Sequence, residues 1–326
     1  MEQKTLEIRS LSVQFRTEKG VITPVNDVSL EVPEGRIVGV VGESGCGKTM
    51  TARAVMGLLR FPGRITGGSV FLCGREITGL PEKEKRRLRG AEMSMIFQEP
   101  MTSLNPVIRV GRQVEEAVRL HTDCTRAEAK ERTMEMFREV EIPEPETRYN
   151  CYPHQLSGGL RQRVIIAMAM ICRPKLLIAD EPTTALDVTV EAQILKLLEK
   201  LRDAGTSVLL ISHNLGVIAR VCDLVYVMYA GRIVEHAETA ELFEKPLHPY
   251  TRGLFRSVAS LREGGDTLET IPGVVPNLLH LPKGCSFSLR CGQCTERCEN
   301  EAPELLETGP GHTVRCFLAG KEDGHE

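Results

Sequence analysis

The chain has 326 residues, 41% of them hydrophobic, with 41 basic against 44 acidic side chains and no tryptophan. That length suits one large domain with an appendage, or two domains. A net charge of −3 with few aromatics argues against a nucleic-acid binder, and the longest unbroken apolar run, Val164 to Cys172, is too short to span a bilayer.

In chain order, the opening MEQKTLEIRS carries charge where a secretion signal needs an apolar core, so the expected compartment is the cytoplasm. Eleven cysteines there read as free thiols or metal ligands. Leu6 to Phe15 and Val21 to Val32 alternate apolar and polar residues across Glu18-Lys19-Gly20, which predicts an antiparallel hairpin. Phe15 is either an aromatic face for a purine ring or one more sheet residue.

Ile37 to Val41 reads as a buried parallel strand, and Met50 to Leu59 as a helix. Between them Gly42-Glu43-Ser44-Gly45-Cys46-Gly47-Lys48-Thr49 matches G-x-x-x-x-G-K-[ST] in the required strand, loop and helix order. Glycines there let backbone N–H groups point inward, and the helix N-terminus adds a positive dipole end, so the loop suits a polyphosphate. Lys48 would reach the β/γ-phosphates and the Thr49 hydroxyl would help hold Mg²⁺.

Beyond it, Gly68 to Cys73 predicts a short strand and Pro81 to Arg89 a charged, solvated helix. Met93 to Phe97 predicts a strand that delivers Gln98 to its C-terminal end, where a metal or its water would sit; an ordinary turn amide is the alternative. From Val107 to Cys172 the periodicity is helical, with amphipathic stretches at Val110 to Leu120 and Arg126 to Val140, which predicts an inserted helical subdomain. Its last element opens with Ser157, a natural N-cap, before Gly158 and Gly159, making a second helix start suited to an anion. Lys175 to Ala179 is a buried strand ending in Asp180 and Glu181, a metal carboxylate beside one placed to polarise water. A turn over Thr183 to Asp187, a helix over Val190 to Leu201 and a strand over Ser207 to Ile211 follow. That strand delivers His213, either to a γ-phosphate or to a structural contact.

Together these residues resemble the ATP-binding cassette (ABC) ATPases. The likeness rests on GESGCGKT at 42–49, Gln98, LSGGL at 156–160, LLIADE at 176–181, ALD at 185–187 and His213, in the family's order, across about residues 5–255. Leu160 departs from the Gln common in the family, after intact backbone donors. The resemblance implies an α/β fold: a P-loop ABC ATPase core with an antiparallel β subdomain, a helical subdomain at about 107–172 and a small Cys-rich C-terminal extension. The domains would be 1–255 and 256–326. It implies ATP and Mg²⁺ as ligands, with Gly42, Glu43, Ser44, Gly45, Cys46, Gly47, Lys48, Thr49, Thr51 and Asp187 around the nucleotide and Phe15 stacking on adenine. Thr49, Gln98 and Asp180 would attend the metal. Glu181 would be the general base, with His213 and Gln98 beside it, and Ser157, Gly158 and Gly159 would close on ATP held by a second cassette subunit.

FQEPMTSLNP at 97–106, YPHQLSGGLRQR at 152–163, HPYTRGL at 248–254 and IPGVVPNLLHLPKGCSF from Ile271 narrow the likeness to ATPase subunits of oligopeptide and dipeptide importers. That implies hydrolysis coupled to import, two transmembrane permease subunits, an extracytoplasmic substrate-binding protein reached through them, and a place at the cytoplasmic face of the membrane. Nickel, metallophore or opine cargo is the alternative, and a soluble ABC ATPase without a transport role or a nucleotide-sensing regulator is the reading from another class. The fused second cassette or long coiled coil of such soluble relatives is missing here, and Glu181 leaves the base in place against a slow switch.

Cys285, Cys291, Cys294, Cys298 and Cys316 lie in a tail sparse in large apolar side chains, where a metal would supply stability. The spacing C-x₅-C-x₆-C-x₁₇-C of Cys285, Cys291, Cys298 and Cys316 resembles importer subunits that carry a [4Fe-4S] cluster, with Cys294 spare. Structural Zn²⁺ and five free thiols are the alternatives.

Overall fold

A computed structural model describes residues 3–98, 103–184, 186–262 and 271–319. Positions 99–102 and Ala185, which carry parts of two motifs, lie outside the described residues. Along the chain the principal elements are β1 (Lys4–Thr17), β2 (Gly20–Pro33), β3 (Ile37–Val41), α1 (Lys48–Val55), β4 (Gly63–Leu72), α2 (Glu82–Leu88) and β5 (Met93–Ile96). Then come α3 (Val110–His121), α4 (Arg126–Glu139), α5 (Gly158–Met170), β6 (Leu176–Asp180), α6 (Val188–Asp203) and β7 (Ser207–Ile211). The remainder holds α7 (Leu215–Val221), β8 (Leu224–Tyr229), β9 (Arg232–Glu238), α8 (Pro249–Arg262), β10 (Leu306–Gly309) and β11 (His312–Val314).

Two compact units share these elements. The first comprises Met1–Leu6, Val32–Ile37 and Leu72–Leu210. Its strands run in the order β7-β6-β5, with β5 parallel to β6 and Met95 opposite Ile178. All residues of β5, β6 and β7 are buried, as a parallel sheet covered on both faces requires. The helical stretch packs α3, α4 and α5 together, and no strand interrupts it among the described residues of 107–172. Val110, Val114 and Val118 recur every fourth residue on the buried stripe of α3. A capping box starts α4: the Glu128 N–H donates to Thr125 Oγ1 at 3.3 Å, and the Thr125 N–H donates to Glu128 Oε2 at 2.7 Å. Gly111 lets the Tyr149 ring approach to 2.1 Å from where a Cβ would stand, and the Tyr149 hydroxyl donates to the buried Glu115 carboxylate.

The second unit comprises Glu7–Glu31, Val38–Phe71 and Ile211–Glu326. In it β1 lies between β2 and β4, and a second set of strands runs β10-β11-β9-β8-β3. There β3 is parallel to β8, with Val40 opposite Tyr226, while β9 is antiparallel to both β8 and β11. The tail therefore adds strands to the sheet. His236 faces Thr313 across that pairing, and Val314 is fully buried. Tyr229, Tyr250 and Phe287 form an aromatic cluster with ring centroids 4.6 to 5.5 Å apart. The His312 ring contacts the Glu235 carboxylate at 2.9 Å and Glu241 at 3.0 Å, with Glu235 fully buried. A tail sparse in large apolar side chains thus borrows a core from β8, β9 and α8.

Candidate functional site

In the second unit β3 runs directly into the glycine loop, and α1 begins at Lys48. A Cβ on Gly42 would stand 2.1 Å from the Met228 carbonyl oxygen, and one on Gly47 2.1 Å from that of Pro24. Gly47 also has φ +113°, so the loop's two ends are glycine by both space and backbone. The Lys48 ammonium donates to Gly42 O at 2.6 Å and Glu43 O at 3.1 Å, which holds the charge at the centre of the loop. Ser44 and Gly45 are exposed at its tip, and Thr49 is half-buried. Thr51 is buried and its hydroxyl donates to Gly47 O at 3.1 Å, so it supports the loop from beneath. Burial pushes the Cys46 thiol up from its ordinary range, which makes it an inert packing residue.

Two loop contacts come from residues that the motif does not contain. The Glu43 N–H donates to the Tyr250 hydroxyl at 2.9 Å, and its carboxylate accepts from Arg290 at 2.7 and 3.1 Å. Tyr250 falls in the HPYTRGL segment; no spacing rule points to Arg290. Elsewhere in this unit, Phe15 is half-buried on β1 with its ring against Gly63, where a Cβ would stand 2.5 Å from it. His213 is exposed just after β7. Asn214 beside it caps α7, accepting from the Gly216 N–H at 2.9 Å.

The first unit holds the carboxylates and the second helix start. Asp180 is the last residue of β6 and 1% exposed. Glu181 follows in the left-handed region at φ +49°, which turns its carboxylate away from the strand direction. Gln98 Nε2 and Thr184 Oγ1 both donate to Glu181 Oε2, each at 3.0 Å. The structure thus joins Gln98 to Glu181; Thr184, the second donor to the same Glu181 oxygen, is invisible in the sequence. Ser157 caps α5, its hydroxyl accepting from the Leu160 N–H at 3.4 Å. Gly159 admits Val190 of α6 to 2.7 Å from its would-be Cβ, which brings the two helix starts together. Asp187 accepts from the Val190 N–H at 2.9 Å and is the N-cap of α6.

In the tail, Cys285, Cys291, Cys298 and Cys316 line one small cavity, walled by Phe287, Phe317, Leu318, Pro249 and Pro303. Cys294 does not line it. Burial raises the thiols of Cys285, Cys291 and Cys316, the first to about 11. Among the described residues no group of three or more His, Cys, Asp or Glu is arranged to hold a single metal ion. The same residues contain no helix long and apolar enough to cross a membrane.

This architecture has close counterparts. The dimeric structure of MJ0796, a bacterial ABC transporter cassette, superposes with a TM-score of 0.65 at 26% identity, covering 72% of this chain and 98% of that one. A post-hydrolysis state of the same cassette bound to ADP and Pi gives the same TM-score at 25% identity and the same coverage. The fold and its glycine loop therefore define a nucleotide-binding cassette. Family models for "ABC transporter" and "Oligopeptide/dipeptide transporter, C-terminal region" match residues 25–184 and 234–298. The oligopeptide transport ATP-binding protein OppD of Salmonella typhimurium is 52% identical over 97% of this chain and 94% of its own length. The dipeptide transport ATP-binding protein DppD of Haemophilus influenzae is 46% identical over 98% and 97%. The chain belongs to the oligopeptide/dipeptide family of ABC transporter ATP-binding proteins.

Proposed function

We infer that this chain is the ATP-hydrolysing subunit of an importer for oligopeptides or dipeptides. The observation that carries the reading is the glycine loop, whose ends tolerate no side chain and whose lysine sits at its centre. The names of the relatives favour peptides over nickel, metallophore or opine. We propose residues 1–255 as the nucleotide-binding domain and 256–326 as its extension; α8 runs across that boundary. The partners would be a second cassette subunit, two permease subunits and, through them, a binding protein outside the membrane. The chain would then sit peripherally on the cytoplasmic face.

In this reading the loop from Gly42 to Thr49 wraps the phosphates and Lys48 supplies a cation to them. Phe15 stacks on adenine, and His213 meets the γ-phosphate. Thr49, Asp180 and Gln98 would hold Mg²⁺, which neutralises charge on the phosphates when bound. Glu181 takes a proton from the attacking water, with Gln98 and Thr184 fixing its carboxylate through their two hydrogen bonds. Ser157, Gly158 and Gly159 face ATP on the second subunit, so closure of the dimer completes each site. Asp187 contributes by capping α6 beside them. Glu181→Gln keeps the shape and an acceptor oxygen while removing the base. The assembled transporter carrying it is expected to bind ATP normally and to lose turnover by about 10²-fold or more. Turnover at the parental rate would remove Glu181 from this role.

The four cysteines of the tail cavity fit a [4Fe-4S] cluster in donor set and apolar shell, and would hold it by four thiolates. Such a cluster would stabilise the tail, since ATP hydrolysis involves no redox step. Protein purified without oxygen is expected to carry about four irons per chain. Cys298→Ser should remove them and Cys294→Ser should not. Colourless anaerobic protein with one zinc per chain would replace the cluster by Zn²⁺.

A further inference from the structure

Arg290 lies in the short 3₁₀ turn Ser288–Arg290, one residue before Cys291, yet its guanidinium ends on the phosphate-binding loop. The side chain is 3% exposed and its donors are all used. Nη1 and Nη2 form a fork on the Glu43 carboxylate at 2.7 and 3.1 Å, Nη1 also approaches the Tyr229 hydroxyl at 3.4 Å, Nε donates to Pro272 O at 2.9 Å and Nη2 to Ile271 O at 3.3 Å. Its charge also lies 5.8 Å from the Tyr229 ring centre and 5.9 Å from that of Phe287.

Glu43 is the second residue of the anion-binding loop, and three groups fix it: Arg290 its carboxylate, Tyr250 its N–H, Lys48 its C=O. Two of these come from the C-terminal region. An unpaired carboxylate on this loop would repel a polyphosphate bound by the same loop, and in a half-buried setting that repulsion is only partly screened. The bidentate fork neutralises the carboxylate and stops it swinging toward the phosphates.

We propose that Arg290 is a positioning residue for the nucleotide: by clamping and neutralising Glu43 it lets the C-terminal tail set the affinity of the glycine loop for ATP. The proposal rests on the reading of that loop as the nucleotide site. It makes Glu43 a conditional liability, favourable only while Arg290 is present, and this fixes the sign of a double-mutant cycle.

The test is titration of the full chain with a fluorescent ATP analogue, alongside ATPase kinetics of the assembled transporter. Arg290→Met leaves the carboxylate uncompensated and is expected to weaken binding about tenfold, raising KM while kcat stays within about twofold. The deficit should shrink as salt rises. Glu43→Gln completes the cycle, and adding it to Arg290→Met should raise affinity back to within about threefold of the parent. Arg290→Lys, which keeps the charge but not the fork, should fall between parent and Met, and serves in place of Arg290→Met should that chain fail to fold. Parental affinity in Arg290→Met, or in Arg290→Lys where the Met variant does not fold, would overturn the proposal. So would a double variant as weak as Arg290→Met, since a merely structural arginine gains nothing from loss of Glu43. Lys48→Ala must lose binding in the same assay. A parent chain that binds no nucleotide would overturn the loop reading and this proposal together, whereas parental binding with an indifferent Arg290 overturns the proposal alone.

Discussion

Gly45 and Gly47 stand two residues apart in one loop under different constraints. At Gly45, φ is +79° and nothing lies within 4 Å of a would-be Cβ, so alanine there meets only backbone strain. At Gly47, φ is +113° and the Pro24 carbonyl oxygen lies 2.1 Å from that Cβ, so the backbone itself has to move. Gly45→Ala is therefore expected to cost about 1–2 kcal/mol, and Gly47→Ala about 3 kcal/mol or more together with loss of ATP binding. Thermal unfolding and nucleotide titration of the two variants check this. Equal effects at both positions would show that the tight approach to Pro24 does not constrain the loop. Glu181 carries a related signal, a non-glycine residue in the left-handed region where its carboxylate collects two donors.

At the scale of elements, the caps decide where the site helices begin. Asp187 accepts from the Val190 N–H at the start of α6, and Ser157 from the Leu160 N–H at the start of α5. Asp187→Ala should lower stability by about 1 kcal/mol, while Asp187→Asn and Asp187→Ser, which keep a capping oxygen, should hold it. Unchanged thermal stability in the alanine variant would deny the cap its part. Element ends are legible in the sequence where a cap or a change of polarity marks them, and hidden where neither does. Ser207 to Ile211 was legible to the residue because four buried apolar residues, Val208 to Ile211, run between polar Ser207 and Ser212. Helix α5 begins at Gly158, where the N-cap Ser157 leads one to expect it, six residues before the apolar run at Val164. Strand β4 starts at Gly63, not Gly68, because its first half alternates half-buried and exposed positions with Ile65 as its one large apolar residue. The β8–β9 hairpin went unread. Its two-residue turn, Ala230-Gly231 at φ +45° and +87°, lacks the Asn-Gly or Asp-Gly pair that marks such turns, and a register shift between Ile233 and Glu235 breaks the alternation.

Across the whole molecule, the sequence carried the motifs and left the tail's attachment obscure. Glycine loop, Asp180–Glu181 and Ser157 are local patterns, so each was legible. The strands that join β11 to β9, the aromatic cluster around Phe287 and the Arg290–Glu43 pair link residues up to 247 positions apart, and no periodicity reports such pairings. They make the Cys-rich extension part of the unit that holds the loop. The central claim is that hydrolysis in this cassette is harnessed to peptide import. The most direct measurement is ATP turnover by the chain assembled with its permease subunits in lipid vesicles, with and without peptide-loaded binding protein. Turnover should rise with loaded binding protein and collapse by about 10²-fold or more in the Glu181→Gln assembly, with peptide accumulation lost in parallel. Hydrolysis that is indifferent to both permease and peptide, or peptide accumulation that survives Glu181→Gln, would contradict it.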